Sequence, residues 1–367
     1  MWIFFIFLIN LNDPSMRLFI FLLFISQFSI AQKNNPNEAQ FDIAAIGFYN
    51  FENLFDTLDT PNKLDEEMTP NGAKRYNTFI YKDKLGKLAE VVSQLGTKLT
   101  PDGLAILGIA EIENKQVLED FVKEPLLKDR NYQIVHYESP DVRGIDVGLI
   151  YNPRYFKVLS SRPIPVPLGG NTEEGGGEKF TRDILLVSGI FKGEPLSLMV
   201  NHWPSRRGGE ARTSPMREKA ARICKSVKDS LLNLNPSTKI IIMGDLNDDP
   251  VSPSVANVLQ AWGRKTDVPA GAMYNPFWAF FKKGIGTMAY NDAWSLFDQI
   301  ILTPNWLDEN QKGYSFYRAE VYREPFLEEK SGRWKGYPKR TFSGDEYLGG
   351  YSDHFPAFIY LTRQKRP

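Results

Sequence analysis

The sequence predicts an α/β fold, a four-layer sandwich of two mixed β-sheets packed face to face with helices outside. Strands joined by helices alternate with directly adjacent strand pairs, twice along the chain, where a simple doubly wound sheet would contain fewer hairpins. The run Ile240-Ile241-Ile242-Met243 has the signature of a buried strand. The chain then breaks at Gly244 into Asp245-Leu246-Asn247-Asp248-Asp249. No internal repeat and no Gly/Ser linker divides the rest, so one domain is expected over residues 41–362.

A chain of 367 residues can bury roughly three quarters of its extended surface in such a fold. Hydrophobic residues make up 42% and charged residues 24%, ordinary globular values that give no reason to expect disorder. Lys+Arg equals Asp+Glu at 44 each, so no global positive field gathers nucleic acid. A polyanionic substrate has to be held by local Arg clusters and bound metal. Cys224 is the only cysteine, which excludes an intrachain disulfide and leaves a thiolate zinc site without ligands. Its place on a helix face suits a small packed residue.

The first 40 residues carry an address. Met16-Arg17, the apolar run from Leu18 to Ile25 and Ser29-Ile30-Ala31 follow the order of a secretory signal cut near Ala31. This gives a signal peptide over 1–31 and a polar lead-in over 32–40. Trp2 to Leu11 is a second apolar run, set apart by Asn12-Asp13-Pro14. Either Met16 is the real start or the combined stretch is an N-terminal membrane anchor. Export to the periplasm or the medium is the expectation, and without disulfides the exported protein relies on its core.

Ile43 to Tyr49 reads as the first strand and ends at Asn50-Phe51-Glu52-Asn53. Residues 56–77 read as a surface loop. Ile80, Leu85, Leu88, Val91, Val92 and Leu95 recur at helical spacing, predicting an amphipathic helix that stops at Gly96. A second strand, Leu104 to Ala110, ends at Glu111; a helix over Lys115 to Leu127 and strands over Tyr132 to His136 and Val147 to Tyr151 follow. Tyr155 to Ile164 is a further strand, and Pro165 to Lys179 is a Pro- and Gly-rich loop. Strands Asp183 to Ile190 and Leu196 to Val200 meet at the short turn Gly193-Glu194-Pro195, an antiparallel signal. A helix over Met216 to Leu232 leads to the Ile240 strand. Residues 262–287 read as a binding loop, Leu296 to Leu302 as a strand, residues 304–350 as a long aromatic and charged excursion, and Phe355 to Leu361 as the final strand.

Polar groups stand at four strand ends: Asn50, Glu111, Asp245 with Asn247, and Asp353-His354. Carboxylates with an Asn carbonyl suit a hard divalent ion such as Mg²⁺ or Mn²⁺. Each residue alone is better explained as a turn residue, since Asp and Asn are common there. The set is harder to explain that way.

At these positions the chain resembles a family. Tyr-Asn-Phe-Glu-Asn-Leu at 49–54, Ile-Ala-Glu-Ile-Glu-Asn at 109–114, Gly-Asp-Leu-Asn-Asp at 244–248 and Ser-Asp-His at 352–354 are similar to the signature blocks of the endonuclease/exonuclease/phosphatase superfamily. The resemblance runs from about Phe41 to Leu361 and implies a deoxyribonuclease I-like fold. Asn201-His202-Trp203-Pro204-Ser205-Arg206 further resembles a branch of secreted bacterial members described as endonuclease-like. The resemblance implies that Glu111 is the principal metal ligand, helped by Asn50 and Asp353. It makes Asp245 the group that orients or deprotonates the attacking water and Asn247 the one that holds that water or a phosphate oxygen. His354 would donate to the phosphoryl oxygen, with Asp298 fixing its tautomer. His202 would be the second histidine, with Asp146 as its carboxylate partner, and Arg182 would stand near the substrate phosphate. A structural Ca²⁺ is also compatible with exported relatives.

Arg206 follows the His202 block and Arg143 precedes Asp146, so both are candidate phosphate ligands as well as ordinary surface arginines. Lys339 and Arg340 offer a positive rim. Trp278, Phe280, Phe281 and Tyr290 either stack on bases or pack a cap. His136 reads as a structural or pocket-wall residue. Three functions remain open: a secreted metal-dependent nuclease, the same core acting on a lipid head group or small phosphorylated metabolite, and a binding protein that has lost turnover. The retained set of Asn50, Glu111, Asp245, Asn247 and His354 argues against the last, and no oligomer interface is legible, so a monomer is expected.

Overall fold

The computed structural model describes residues 41–169, 179–307 and 313–365. The expected signal peptide, the polar lead-in and residues 170–178 of the Pro165 to Lys179 loop lie outside the described residues. No helix of the described residues is long and apolar enough to cross a membrane.

Thirteen strands build two sheets among the described residues: β1 (Phe41–Leu54), β2 (Leu104–Ile112), β3 (Gln133–His136), β4 (Asp146–Tyr151), β5 (Phe156–Ile164), β6 (Ile184–Phe191), β7 (Glu194–His202), β8 (Lys239–Asp245), β9 (Ala261–Trp262), β10 (Met273–Tyr274), β11 (Asp298–Leu302), β12 (Ser315–Val321) and β13 (Ala357–Gln364). One sheet runs β12-β13-β1-β2-β4-β3, the other β9-β10-β11-β8-β7-β6-β5. Both are mixed, as expected. β1 pairs in parallel with β2 and β7 with β8, while β13, β4, β6 and β11 join antiparallel.

Alternating side chains divide each central strand between two cores. Ile241 and Met243 of β8 face the other sheet and pack among Ile46, Phe48, Val200 and Ile359. Ile240 and Ile242 face outward to Ala220, Ala221 and Cys224 of the helix α3 (Glu210–Leu234). On the opposite side Tyr49, Leu107 and Ile109 meet Leu88 and Val92 of α1 (Thr78–Gln94) and Phe121 of α2 (Lys115–Phe121). The four layers are therefore helices, sheet, sheet, helix. Cys224 is fully buried, as expected of a packing residue.

The helices begin where capping allows. Asn77 Oδ1 accepts from the backbone N–H groups of Phe79 and Ile80, and Asn114 Oδ1 from that of Val117. α2 ends six residues before the expected Leu127, because Val122 to Arg130 continues as separate turns that still bury Leu127. α3 begins six residues before the expected Met216 and carries Pro215 in its second turn, where the ring cannot donate to the Ala211 carbonyl oxygen. The excursion over 304–350 hides β12, which closes the edge of the first sheet. β1 runs on to Leu54 through a register shift between Asn50 and Leu54, a bulge at the sheet's polar end.

Candidate active site and metal centre

The parallel pairs β1–β2 and β7–β8 bring their carboxyl ends together, the place where α/β folds hold ligands. Asn50 of β1 donates from Nδ2 to Asp245 Oδ2 of β8 at 3.0 Å, which ties one sheet to the other. Across β7 and β8, His202 stands opposite Asp245 in register, and Asp298 stands opposite Asp245 on the other side. Gly244 makes this possible. A Cβ there would sit 2.2 Å from the Asn201 carbonyl oxygen, so only glycine lets β8 approach β7 at this point.

Glu111, His202 and Asp245 each turn a ligand atom toward a common point, all within 4.8 Å of one another. His202 Nε2 is 3.6 Å from Glu111 Oε1 and 3.7 Å from Asp245 Oδ2. These gaps are too long for hydrogen bonds, so the groups converge without satisfying each other. A donor set of carboxylates, imidazole and a neighbouring amide fits a divalent ion of the Mg²⁺ or Mn²⁺ kind. Glu111 and Asn247 adopt left-handed backbone conformations, with φ of 61° and 48°. For residues with a side chain this geometry is held by its surroundings. Asn53 N–H donates to Glu111 Oε2, Asn247 N–H to Asp245 Oδ1, and Asn247 Nδ2 to the Trp203 carbonyl oxygen.

His354 Nδ1 and Asp298 Oδ2 share a 2.7 Å hydrogen bond, the pairing expected from the resemblance. His354 Nε2 lies 3.9 Å from both Asp245 Oδ2 and Asp353 Oδ1. Burial works against its charged form, but Asp298 first, then Asp245 and Asp353, hold its pKa well above the ordinary histidine range. His202 moves the other way. Burial, with Arg182, Arg143 and His354 adding to it, keeps its pKa well below that range. Asp245 is pushed up to about 7, foremost by burial and further by Asp298 and Glu111, against the pull of His354 and the Asn247 N–H. The surroundings therefore push the two histidines in opposite directions within one site.

Several expected residues stand elsewhere. Asp146 does not partner His202: its Oδ2 meets His136 Nε2 at 3.1 Å and its Oδ1 accepts from Ser139 N–H, while His202 Nδ1 is buried without a hydrogen-bond partner. The antiparallel register of β3 and β4 gives Asp146 to His136, a structural contact between neighbouring strands. Arg182 is buried and engaged by Asp141 Oδ2 at 3.0 Å and the Trp203 carbonyl oxygen at 2.8 Å. It supports the wall beneath the site instead of facing solvent. Arg206 is held by the Asn247 carbonyl oxygen, Asp248, Asp249 and Glu210, so its charge is already compensated. Arg143 remains largely exposed beside Asp141. Asp353 pairs with Arg340 at 2.8 Å.

Three supporting residues were given no role by the sequence reading, and one of them, Lys84, escaped it altogether. Ser352 Oγ donates to the Asn50 carbonyl oxygen at 2.7 Å, fixing the Asp353-His354 turn to β1. Glu52 is buried and accepts from Thr341 N–H; its carboxyl is pushed up to about 7 by burial first and by Asp353, against Lys84, Thr341 and Arg340. Lys84, on the buried face of α1, donates to Thr341 Oγ1, and burial pushes its pKa down. Glu52 stood in a visible motif, whereas nothing about Lys84 in a helical sequence distinguished it from a surface lysine.

The endonuclease/exonuclease/phosphatase family profile matches residues 45–363. The chain belongs to that family. Solved structures repeat its fold. D. rerio TDP2 complexed with a single-strand DNA product is 16% identical, covering 87% of this chain and 99% of that one at a TM-score of 0.50. C. elegans TDP2 is 14% identical over 87% and 74%, at 0.52. An endonuclease/exonuclease/phosphatase family protein from Bacteroides thetaiotaomicron is 15% identical over 89% and 97%, at 0.50. No curated protein matches the sequence. Family membership and the His/Asp/Glu clusters together make this protein a metal-dependent phosphoesterase.

Proposed function

We propose that this phosphoesterase is an exported phosphodiesterase of the endonuclease-like branch that hydrolyses nucleic-acid phosphodiester bonds by in-line attack of water. The observation that carries the reading is the meeting of Glu111, His202 and Asp245 with the His354–Asp298 pair at one point between the sheets. Glu111, with Asn50 and Asp353, would hold a divalent cation, which would supply positive charge at the phosphate oxygens. Asp245 takes the proton of the attacking water, and Asn247 orients that water. His354, kept cationic by Asp298, donates to a phosphoryl oxygen as negative charge grows there. His202 stays neutral and contributes through hydrogen bonding. Arg143 would meet the phosphate, a role supported by its exposed side chain beside Asp141. Support for the substrate comes from a fold on which D. rerio TDP2 holds a single-strand DNA product. Support for export comes from the order of residues 16–31.

The balance of 44 basic and 44 acidic residues favours a second reading, a smaller phosphoester, because a long nucleic acid gains from a basic surface. A panel of duplex DNA, single-stranded DNA, RNA, a sphingomyelin-type diester and a simple monoester, each with Mg²⁺ or Mn²⁺ and with EDTA, separates the two. The expected result is diester cleavage that EDTA abolishes and that Asp245→Asn lowers by at least a hundredfold while the protein stays folded. Cleavage of the monoester alone would establish the second reading, and near-wild-type turnover by Asp245→Asn would remove the role given to Asp245.

A further inference from the structure

Beside the site lies a cavity of about 250 Å³ that none of the catalytic groups uses, lined by Tyr290, Asn291, Trp334, Tyr337, Arg340 and Leu348 among others. It is smaller than the roughly 300–1,000 Å³ of a drug-sized ligand site, which suits one planar ring system. Two excursions from the sheets build it. A short hairpin, Met288–Tyr290 with Ala293–Ser295, forms one wall, and residues 329–348 form the other. They are clasped at Tyr337, whose Oη donates to Asp292 Oδ1 and accepts from Asp292 N–H, each at 2.8 Å.

The cavity is joined to the catalytic groups on two sides. Arg340 lines it and reaches Asp353 at 2.8 Å and Glu52 at 3.5 Å. Thr287, at the foot of the hairpin, accepts from Phe355 N–H through its carbonyl oxygen and from Asp298 N–H through its hydroxyl. The wall thus stands one residue from His354. Tyr290, 72% exposed, is a large ring left open to solvent at the rim, and Trp334, 44% exposed, carries the Arg333 guanidinium 4.6 Å from its ring centroid and packs on Tyr337 at 5.2 Å. Glu329 also lines the cavity, and Arg340 is already balanced by two acids, so the chemistry disfavours a phosphate inside and favours an uncharged flat group.

We infer that this cavity is a subsite that stacks one nucleobase of the nucleotide whose phosphate occupies the site. The inference rests on the phosphodiesterase reading and assigns Tyr290 and Trp334 to substrate selection, outside the chemistry. Base–aromatic stacking tolerates any base, so recognition here is of the ring and carries little sequence preference. The test compares two diesters with the same leaving group, thymidine 5′-(p-nitrophenyl phosphate) and methyl p-nitrophenyl phosphate, on wild type, Tyr290→Ala and Trp334→Ala. Each substitution is expected to raise KM roughly tenfold for the thymidine diester with kcat retained, and to leave the methyl diester unchanged. Equal effects on both diesters, or none on either, would overturn the subsite. Should wild type cleave neither diester, the substrate panel above still decides the phosphodiesterase reading, and the subsite is judged separately by tryptophan-fluorescence titration with thymidine 5′-monophosphate and ribose 5-phosphate. Tighter binding of the nucleotide that Tyr290→Ala abolishes supports it; equal binding of the two ligands refutes it.

Discussion

Glu111 holds its carboxylate in place with a left-handed backbone and faces Asp245 and His202 without bonding to either. Such an arrangement costs stability until a cation joins the carboxylates. Glu111→Gln is therefore expected to raise the melting temperature in EDTA by about 2 °C, through lost repulsion with Asp245, and to abolish the rise that Mn²⁺ gives the wild type. A Mn²⁺-dependent rise of wild-type size in Glu111→Gln would show that the ion binds elsewhere. Asp183 gives a pH-dependent case away from the site. Its carboxyl is pushed up to about 6, by burial first and Asp146 second, and its Oδ1 has no hydrogen-bond partner. The folded state keeps a proton that the unfolded chain releases, so stability is lost as pH rises from about 4 to 6. Asp183→Asn is expected to stabilise the protein by about 1 kcal/mol at pH 8, after discounting for solvent screening, and by little at pH 4. Melting curves at the two pH values read the difference, and an equal gain at both would contradict it. The same neighbourhood shows why residue pairings were hard to read. His136 and Asp146 meet only because a particular strand register brings them together, and spacing along the chain does not encode register.

At the level of elements, the site depends on how the excursion is pinned to β13. Gly350 lies so close to residues 339–340 that a Cβ would stand 2.1 Å from both the Lys339 and Arg340 carbonyl oxygens, and Tyr351 N–H donates to the Lys339 carbonyl oxygen at 2.7 Å. Backbone blocks the added atom on both sides, so relief requires the segments to part. Gly350→Ala is expected to lower the melting temperature by several degrees and turnover more than tenfold, because the Ser352-Asp353-His354 turn moves with it. Unchanged turnover would show that the turn is held by Ser352 alone. The central strands were legible because β1, β2 and β8 are continuous apolar runs that stop at Asn50, Glu111 and Asp245. β12 was not. Its alternation is broken by the shift between Phe316 and Arg318, and an edge strand carries charges that read as loop. The excursion around Arg340 was legible only as aromatic and charged, since its pairing with Glu52 is made across nearly 300 residues of chain.

For the molecule as a whole, the even charge balance has a mechanistic consequence. Local Arg clusters were expected to supply the attraction for phosphate, but Arg182, Arg206 and Arg217 are each turned inward onto Asp141, Asp248 or Asp249. Arg217 and Asp248 are both fully buried, so their charges stabilise the segment behind Asn247 and add little field outside. Among the described residues, the basic groups beside the strand-end motifs that are not turned inward are Arg143, Arg207, Lys339 and Arg340, and Arg340 is already paired with acids, which leaves three. A nucleic acid bound here would release no more than about three counterions, and affinity falls with salt by about 0.9 per neutralised phosphate on a logarithmic scale. The logarithm of kcat/KM on duplex DNA is therefore expected to fall against the logarithm of salt concentration with a slope no steeper than about −3, where a basic groove making six to ten phosphate contacts gives about −6 or steeper. The measurement is a series of initial rates from 50 to 200 mM NaCl at fixed Mg²⁺. A slope of −6 would mean that a cationic surface assembles when substrate binds, and that the attraction for polymer resides outside the strand-end site. A slope near −2, with dinucleotides and long duplex cleaved at similar kcat/KM, would place recognition where the geometry does, in the scissile phosphate and its immediate neighbours.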